Sequence, residues 1–168
     1  SAAITALCMS GLDTSRFSFE GFLSVTKKQR DEHLDEIKDF SRTLIFYEAP
    51  HKLKNTLDDL YRVLGNRQIA LCRELTKIHE EVIKGTISEM IERYKELTPR
   101  GEYVLVIAGK SREQLKAEAR KQWENMSVAE HVQMYMSQGM DKKEAMKAAA
   151  KDRGVSKRDI YQELEGKA

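Results

Sequence analysis

The sequence predicts an α/β fold: a mixed, largely parallel sheet of about five strands with flanking helices, followed by an all-helical C-terminal appendage. Three observations predict it. Residues 43–47 and 103–108 are short, continuous apolar runs, the pattern of strands covered on both faces. Stripes at helical spacing stand between such runs, as with Leu53, Leu57, Leu60 and Leu64. After Gly109 the strand signal stops and helix formers take over. Buried strands alternating with amphipathic helices favour a parallel or mixed sheet covered by helices.

Each element has its own signal. Ile4, Leu7 and Cys8 share a helical face, and Gly11 suits the left-handed cap that ends such a helix. Phe17, Phe19, Phe22 and Leu23 cluster around Gly21 as a strand running into a turn. Lys27, Lys28 and Arg30 make a basic run, read as a loop, and residues 31–40 read as a helix with Leu34 and Ile37 inward. Residues 43–47 form the next strand. Pro50 then suits a first helical turn, where its missing N–H costs nothing. The leucine stripe ends at Gly65, residues 68–72 are a second buried strand, and residues 81–83 are a short strand stopped by Gly85. Thr86 with Glu89 is a capping box, and Ile87, Met90, Ile91 and Tyr94 form the inner face of its helix. Pro99 and Gly101 break that helix before the strand at residues 103–108.

Residues 1–109 therefore form an α/β domain and residues 110–168 a helical appendage. Capping signatures recur in the appendage at Ser127/Glu130, Asp141/Glu144 and Ser156/Asp159. Met134, Met136, Met140 and Met146 read as its core. Helix, Gly154 turn and helix follow one another as in a helix-turn-helix reader, although plain bundles share that pattern.

Composition narrows the function classes. With 29 basic and 27 acidic residues the net charge is +2, so no polybasic attraction is written in the total. No run approaches the roughly 18 apolar residues of a spanning helix. Cys8 and Cys72 stand far apart, which excludes a disulfide scaffold and a cysteine zinc site and fits a reducing cytoplasm. The histidines lack metal-ligand spacing, so no metal is expected. P-loop, GxGxxG, GxSxG and HExxH motifs do not occur.

In open α/β sheets, ligands bind off the carboxyl ends of the strands. Glu48 and His51 follow one such end, and Arg73, Glu74 and Lys77 follow another. Glu48 suits a ligand hydroxyl or the role of a base. It equally suits a helix dipole, an effect of about 0.3–1 kcal/mol. Lys27, Lys28 and Arg30 suit phosphate contacts or a solvated surface.

The strings at residues 1–7, RF at 16–17, FEGFL at 19–23, TLIFYEAPH at 43–51, RELTK at 73–77 and GEYVLV at 101–106 carry a family likeness. In this order and spacing they resemble the bacterial small-subunit ribosomal RNA cytidine 2′-O-methyltransferases of the tetrapyrrole methylase superfamily. FYEAPH and RELTK are the sharpest. The resemblance implies two α/β domains with S-adenosylmethionine in the cleft between them. It further implies that this chain is the C-terminal domain and tail, inactive alone. Cofactor contacts implied by the resemblance are Ser1, Ala2, Glu48, Cys72, Glu102 and Val104. A ribose hydroxyl is a weak acid, so a base is needed, and Glu48, His51 and Glu74 are the candidates. Arg16, Lys27, Arg30, Arg73 and Lys77 are the candidates for holding RNA. The partner implied is ribosomal RNA or the small subunit, with no membrane, and superfamily members are often homodimers.

Lys52 stands where these RNA enzymes usually show arginine, and Ser24 where proline is usual. The competing readings are a tetrapyrrole methylase of the same superfamily and a non-enzymatic RNA-binding module.

Overall fold

A computed structural model describes residues 1–166. The chain forms two compact units, Ser1–Lys110 and a second beginning at Ser111. The first contains α1 (Ala2–Ser10), β1 (Phe17–Phe22), α2 (Lys27–Ile37), β2 (Thr43–Glu48), a 3-10 turn (Pro50–Lys52) and α3 (Leu53–Leu64). It continues with β3 (Gln68–Arg73), β4 (Glu81–Thr86), α4 (Ile87–Glu96) and β5 (Tyr103–Ile107).

The five strands form one mixed sheet in the order β1-β2-β5-β3-β4. Only β1 and β2 pair in parallel; the β2–β5, β5–β3 and β3–β4 pairs are antiparallel. The expectation of a largely parallel sheet is thus corrected. β2 and β3 do run the same way, joined through α3, but β5 is inserted between them. The apolar runs are continuous because both faces are covered, whatever the pairing direction.

Alternate strand residues divide between two cores. Ile45, Ala70, Cys72, Val104 and Val106 pack against Ala3, Ala6 and Leu7 of α1. Leu44, Phe46, Ile69, Leu71, Tyr103, Leu105 and Ile107 pack against residues of α2, α3 and α4.

Two local expectations change. Lys27 to Arg30 are the first turn of α2, because the Arg30 amide already donates to the Thr26 carbonyl at 3.0 Å. Straight-chain Lys, Gln and Arg support that helix start. Gly85 remains within β4, opposite Ile69, so the strand runs on to Thr86. At Gly21, φ of +68° accompanies a register shift against β2. That bulge brings Phe22 onto the face of Phe19, as both rings stand edge-on to Tyr47 at centroid distances of 5.0 and 5.7 Å.

The second unit holds α5 (Arg112–Lys121), α6 (Val128–Ser137), α7 (Lys142–Arg153) and α8 (Lys157–Glu165). Each begins with a capping box, including Ser111/Gln114 before α5. Its core is Val128, Val132, Ala145, Met146, Ala149, Ala150 and Ile160. Of the four methionines only Met146 is buried; Met140 packs at the edge and Met136 is exposed. Alanines fill the α7 face instead. The ring of His131 is fully buried, stacked between Trp123 and Tyr135.

Candidate functional site

One end of the sheet gathers most of the residues singled out above. Glu48, Tyr103 and Arg73 lie in one cross-strand row, and Tyr47, Val104 and Cys72 in the next. The carboxyl ends of β1, β2 and β3 all open at this end, where ligands of open α/β sheets bind.

The pleat separates the set. Cys72 and Val104 point to the α1 side, with Ala3 beside them. Ser1 caps α1 and Ala2 is its first residue, both exposed. Glu48 points to the other side, where the Thr56 hydroxyl on α3 donates to its Oε2 at 2.6 Å. Its Oε1 accepts the Ala49 N–H at 2.8 Å. This clasp shapes the strand-to-helix elbow that carries His51, an exposed residue on the 3-10 turn.

Below the elbow is a cavity of about 210 Å³ lined by Leu23, Ser24, Val25, Arg30, Glu48, Lys52, Asn55 and Thr56. It lies off the carboxyl ends of β1 and β2, the sheet's one parallel pair. Arg30 builds its wall. Its Nη1 donates to the Ser24 and Val25 carbonyls at 3.0 and 3.3 Å, and its Nε to Asp59 at 2.6 Å. Nε and Nη1 are thus committed to the fold, and Arg30 shapes the loop after β1.

The loop after β3 is built differently. Glu74 adopts φ of +50°. Its Oε1 accepts the Glu102 N–H at 2.9 Å, and its Oε2 meets the Lys77 ammonium at 2.9 Å. The Glu102 amide, then Lys77, holds the Glu74 carboxyl below its ordinary value, and Glu74 raises Lys77. Gly101 lies so close to Glu74 that a Cβ there would stand 2.5 Å from Oε1. Glu74 and Lys77 therefore tie this loop to the entry of β5. Arg73 pairs with Glu81 at 3.0 Å, while its Nε is buried without a hydrogen-bond partner.

Burial pushes the Cys72 thiol up to about 11, so it stays protonated at neutral pH. Lys27 lines an open groove with Lys28, Asp31, Glu32, Asp35, Arg62 and Val63, where acids offset its charge. Arg16 is exposed ahead of β1. Among the described residues no cluster of His, Cys, Asp and Glu is placed to hold a metal. No helix among them is long and apolar enough to cross a membrane.

Sequence reasoning missed Thr56 and Asn55. Thr56 is eight positions beyond Glu48, a separation with meaning only once the elbow turns α3 back over the strand.

The sequence and fold are those of a methylase family. The chain resembles the crystal structure of the methyltransferase CobJ with a TM-score of 0.50 at 13% identity, covering 63% of this chain and 46% of that one. The family model for tetrapyrrole (corrin/porphyrin) methylases matches residues 1–91, and the chain belongs to that family. Among curated relatives is the ribosomal RNA small subunit methyltransferase I of Halalkalibacterium halodurans, 49% identical over 160 residues, 95% of this chain and 55% of that protein. The Bacillus subtilis protein of the same name is 48% identical over 160 residues, 95% of this chain and 54% of that protein. The Synechocystis protein is 39% identical over 162 residues, 96% of this chain and 56% of that protein. The chain thus spans about half the length of these relatives.

Proposed function

We propose that this chain forms part of an S-adenosylmethionine-dependent enzyme that methylates a ribose 2′-hydroxyl in small-subunit ribosomal RNA, in the cytoplasm. One observation carries the RNA reading over a tetrapyrrole one. The likeness to ribosomal RNA methyltransferases extends over 160 residues, into the helical unit, whereas the general family model ends at residue 91.

The residues on the α1 side fit the cofactor. α1 starts without an acid in its first turn and without a side-chain cap, leaving first-turn amides from Ala2 onward for a carboxylate. Ala3, Ala70, Cys72 and Val104 form the apolar layer beneath α1 on this side. The bound cofactor supplies a methyl group on a sulfonium. A protonated Cys72 does not compete for that methyl, because the thiolate is the nucleophile.

The acceptor hydroxyl must lose a proton. Glu48, His51 and Glu74 are the groups for that role, at the same end of the sheet. Glu74 is ion-paired with Lys77 and bonded to the Glu102 amide, Glu48 meets only the neutral Thr56 and Ala49 donors, and His51 is exposed on the turn. A positioned base contributes about 10²–10⁴-fold, and orientation of the reactants the larger share.

The test uses an enzyme of the relatives' full length carrying this sequence, labelled S-adenosylmethionine and small ribosomal subunits. The expected result is one ribose resistant to alkaline cleavage, lost in Glu48→Ala. Methyl transfer to a tetrapyrrole with none to RNA would overturn the reading. The 168-residue chain alone is expected to show no turnover.

A further inference from the structure

The cavity at the carboxyl ends of β1 and β2 has features that the fold does not need. Glu48 is 3% exposed at its floor, yet its partners, the Ala49 amide and the Thr56 hydroxyl, are both neutral. An ionised carboxylate has about four acceptor positions, so about two remain. No cation pairs with it among the described residues, and a buried carboxylate without one is costly.

The helix opening onto the same cavity carries a cation where it begins. The N-cap of α3 is Lys52, which makes no side-chain cap, and no acid stands in the first turn. A cation at this position opposes the helix dipole, while the 3-10 turn ahead of it pairs the Lys52 and Leu53 amides with the Ala49 and Pro50 carbonyls. Such a local conflict is the mark of a functional position. Lys52 and Asn55 line the cavity from this helix, and neither has an ion-pair partner among the described residues. Together they offer one cation and one side-chain amide to an anion, in the same cavity as a carboxylate with acceptor positions to spare.

We infer that this cavity seats a ribose-phosphate unit of RNA, with ribose hydroxyls donating to Glu48 and the phosphate held by Lys52 and Asn55. The inference rests on the RNA reading above and names the part of the substrate that this site grips. A cofactor adenosine also carries ribose hydroxyls, but S-adenosylmethionine has no phosphate for Lys52. Some 210 Å³ suits a sugar and its phosphate, not a macrocycle of four pyrrole rings. Arg30 is anchored through Nε and Nη1 to Asp59 and to the Ser24 and Val25 carbonyls, and its charge is already paired with Asp59, so the phosphate is assigned to Lys52.

The test measures binding of a short fluorescein-labelled oligocytidylate and its 2′-deoxy counterpart to the 168-residue chain across a salt series. In Lys52→Ala, RNA affinity should fall about tenfold, the loss of one charge-assisted contact. The slope of log K against log salt should shrink by about 0.7, the value for one phosphate on a single strand. Asn55→Ala should weaken both oligonucleotides alike. Glu48→Gln should erase the preference for RNA over DNA, with circular dichroism confirming that the variant is folded.

Wild-type RNA binding that ignores Lys52 and Asn55 would overturn the seat while leaving the RNA reading standing. So would an RNA preference that persists in Glu48→Gln. In the relatives-length enzyme, a Glu48→Gln variant that loses S-adenosylmethionine and keeps RNA would give the carboxylate to the cofactor instead. No RNA binding by the wild type, even at low salt, would overturn the RNA reading itself.

Discussion

The Thr56 hydroxyl donates to Glu48 Oε2 at 2.6 Å, tying the last residue of β2 to the first turn of α3. Both groups are buried, so losing the donor is costly. Thr56→Val keeps the shape and removes the donor, leaving a carboxylate oxygen unsatisfied. The expected cost is about 1–3 kcal/mol in urea denaturation. Thr56→Ser should recover most of it. A valine variant as stable as the wild type would show that the clasp is not a structural bond.

Gly109 and Gly21 should respond differently to the same change. A Cβ on Gly109 would stand 2.3 Å from main-chain atoms of Ser41, which cannot swing aside. Gly21 has open space around it but sits at φ of +68°. Gly21→Ala is then expected to cost about 1–2 kcal/mol of backbone strain. Gly109→Ala should exceed that and reduce the soluble yield of folded protein. Thermal melts of the two variants side by side check the order, and a milder effect at Gly109 would contradict the packing argument.

Glu74 separates a loop tie from a catalytic role. Its carboxylate accepts the Glu102 N–H, so Glu74→Ala should speed hydrogen exchange at the Glu102 amide. Methyl transfer by the full-length enzyme should fall without any change in the shape of its pH profile. A lost ionisation in that profile would instead make Glu74 the base.

The sequence disclosed elements wherever burial alone writes the signal. β2, β3 and β5 are apolar because both faces are covered, and the stripe of α3 is apolar because one face is. Pairing direction leaves no such trace: β5 slips between β2 and β3 through contacts far apart in the chain, and the runs read the same either way. The basic run at residues 27–30 misled because charge says nothing about backbone conformation. At the site, Glu48 was visible as a carboxylate after a buried strand. Which side of the sheet it faces was not visible, because that depends on the register at Tyr103 and on where α3 turns back. Arg30 shows the same limit: a guanidinium serving two carbonyls of its own loop is indistinguishable in sequence from one waiting for phosphate.

His131 makes the helical unit sensitive to acid. The Arg153 Nε–H donates to its Nδ1 at 2.9 Å, so the ring proton sits on Nε2 and faces Asp152 at 3.1 Å. The Tyr135 hydroxyl also donates to Asp152. Protonating Nδ1 would break the bond from Arg153 and place a second cation beside the guanidinium. Burial first, and the Arg153 charge with it, hold His131 below its ordinary value of 6.5 despite the pull of Asp152. The unfolded chain therefore takes up the proton before the folded one does. The stability this group contributes is complete above pH 6.5 and is lost as the pH falls below it. Denaturation of the wild type should show a midpoint that falls as the pH drops through 6.5 and below. His131→Phe keeps a ring between Trp123 and Tyr135 and should flatten that dependence. The ring's own NMR titration decides the matter: a midpoint at or above the ordinary histidine value would mean that Asp152 outweighs burial, and the unit would then gain stability in acid.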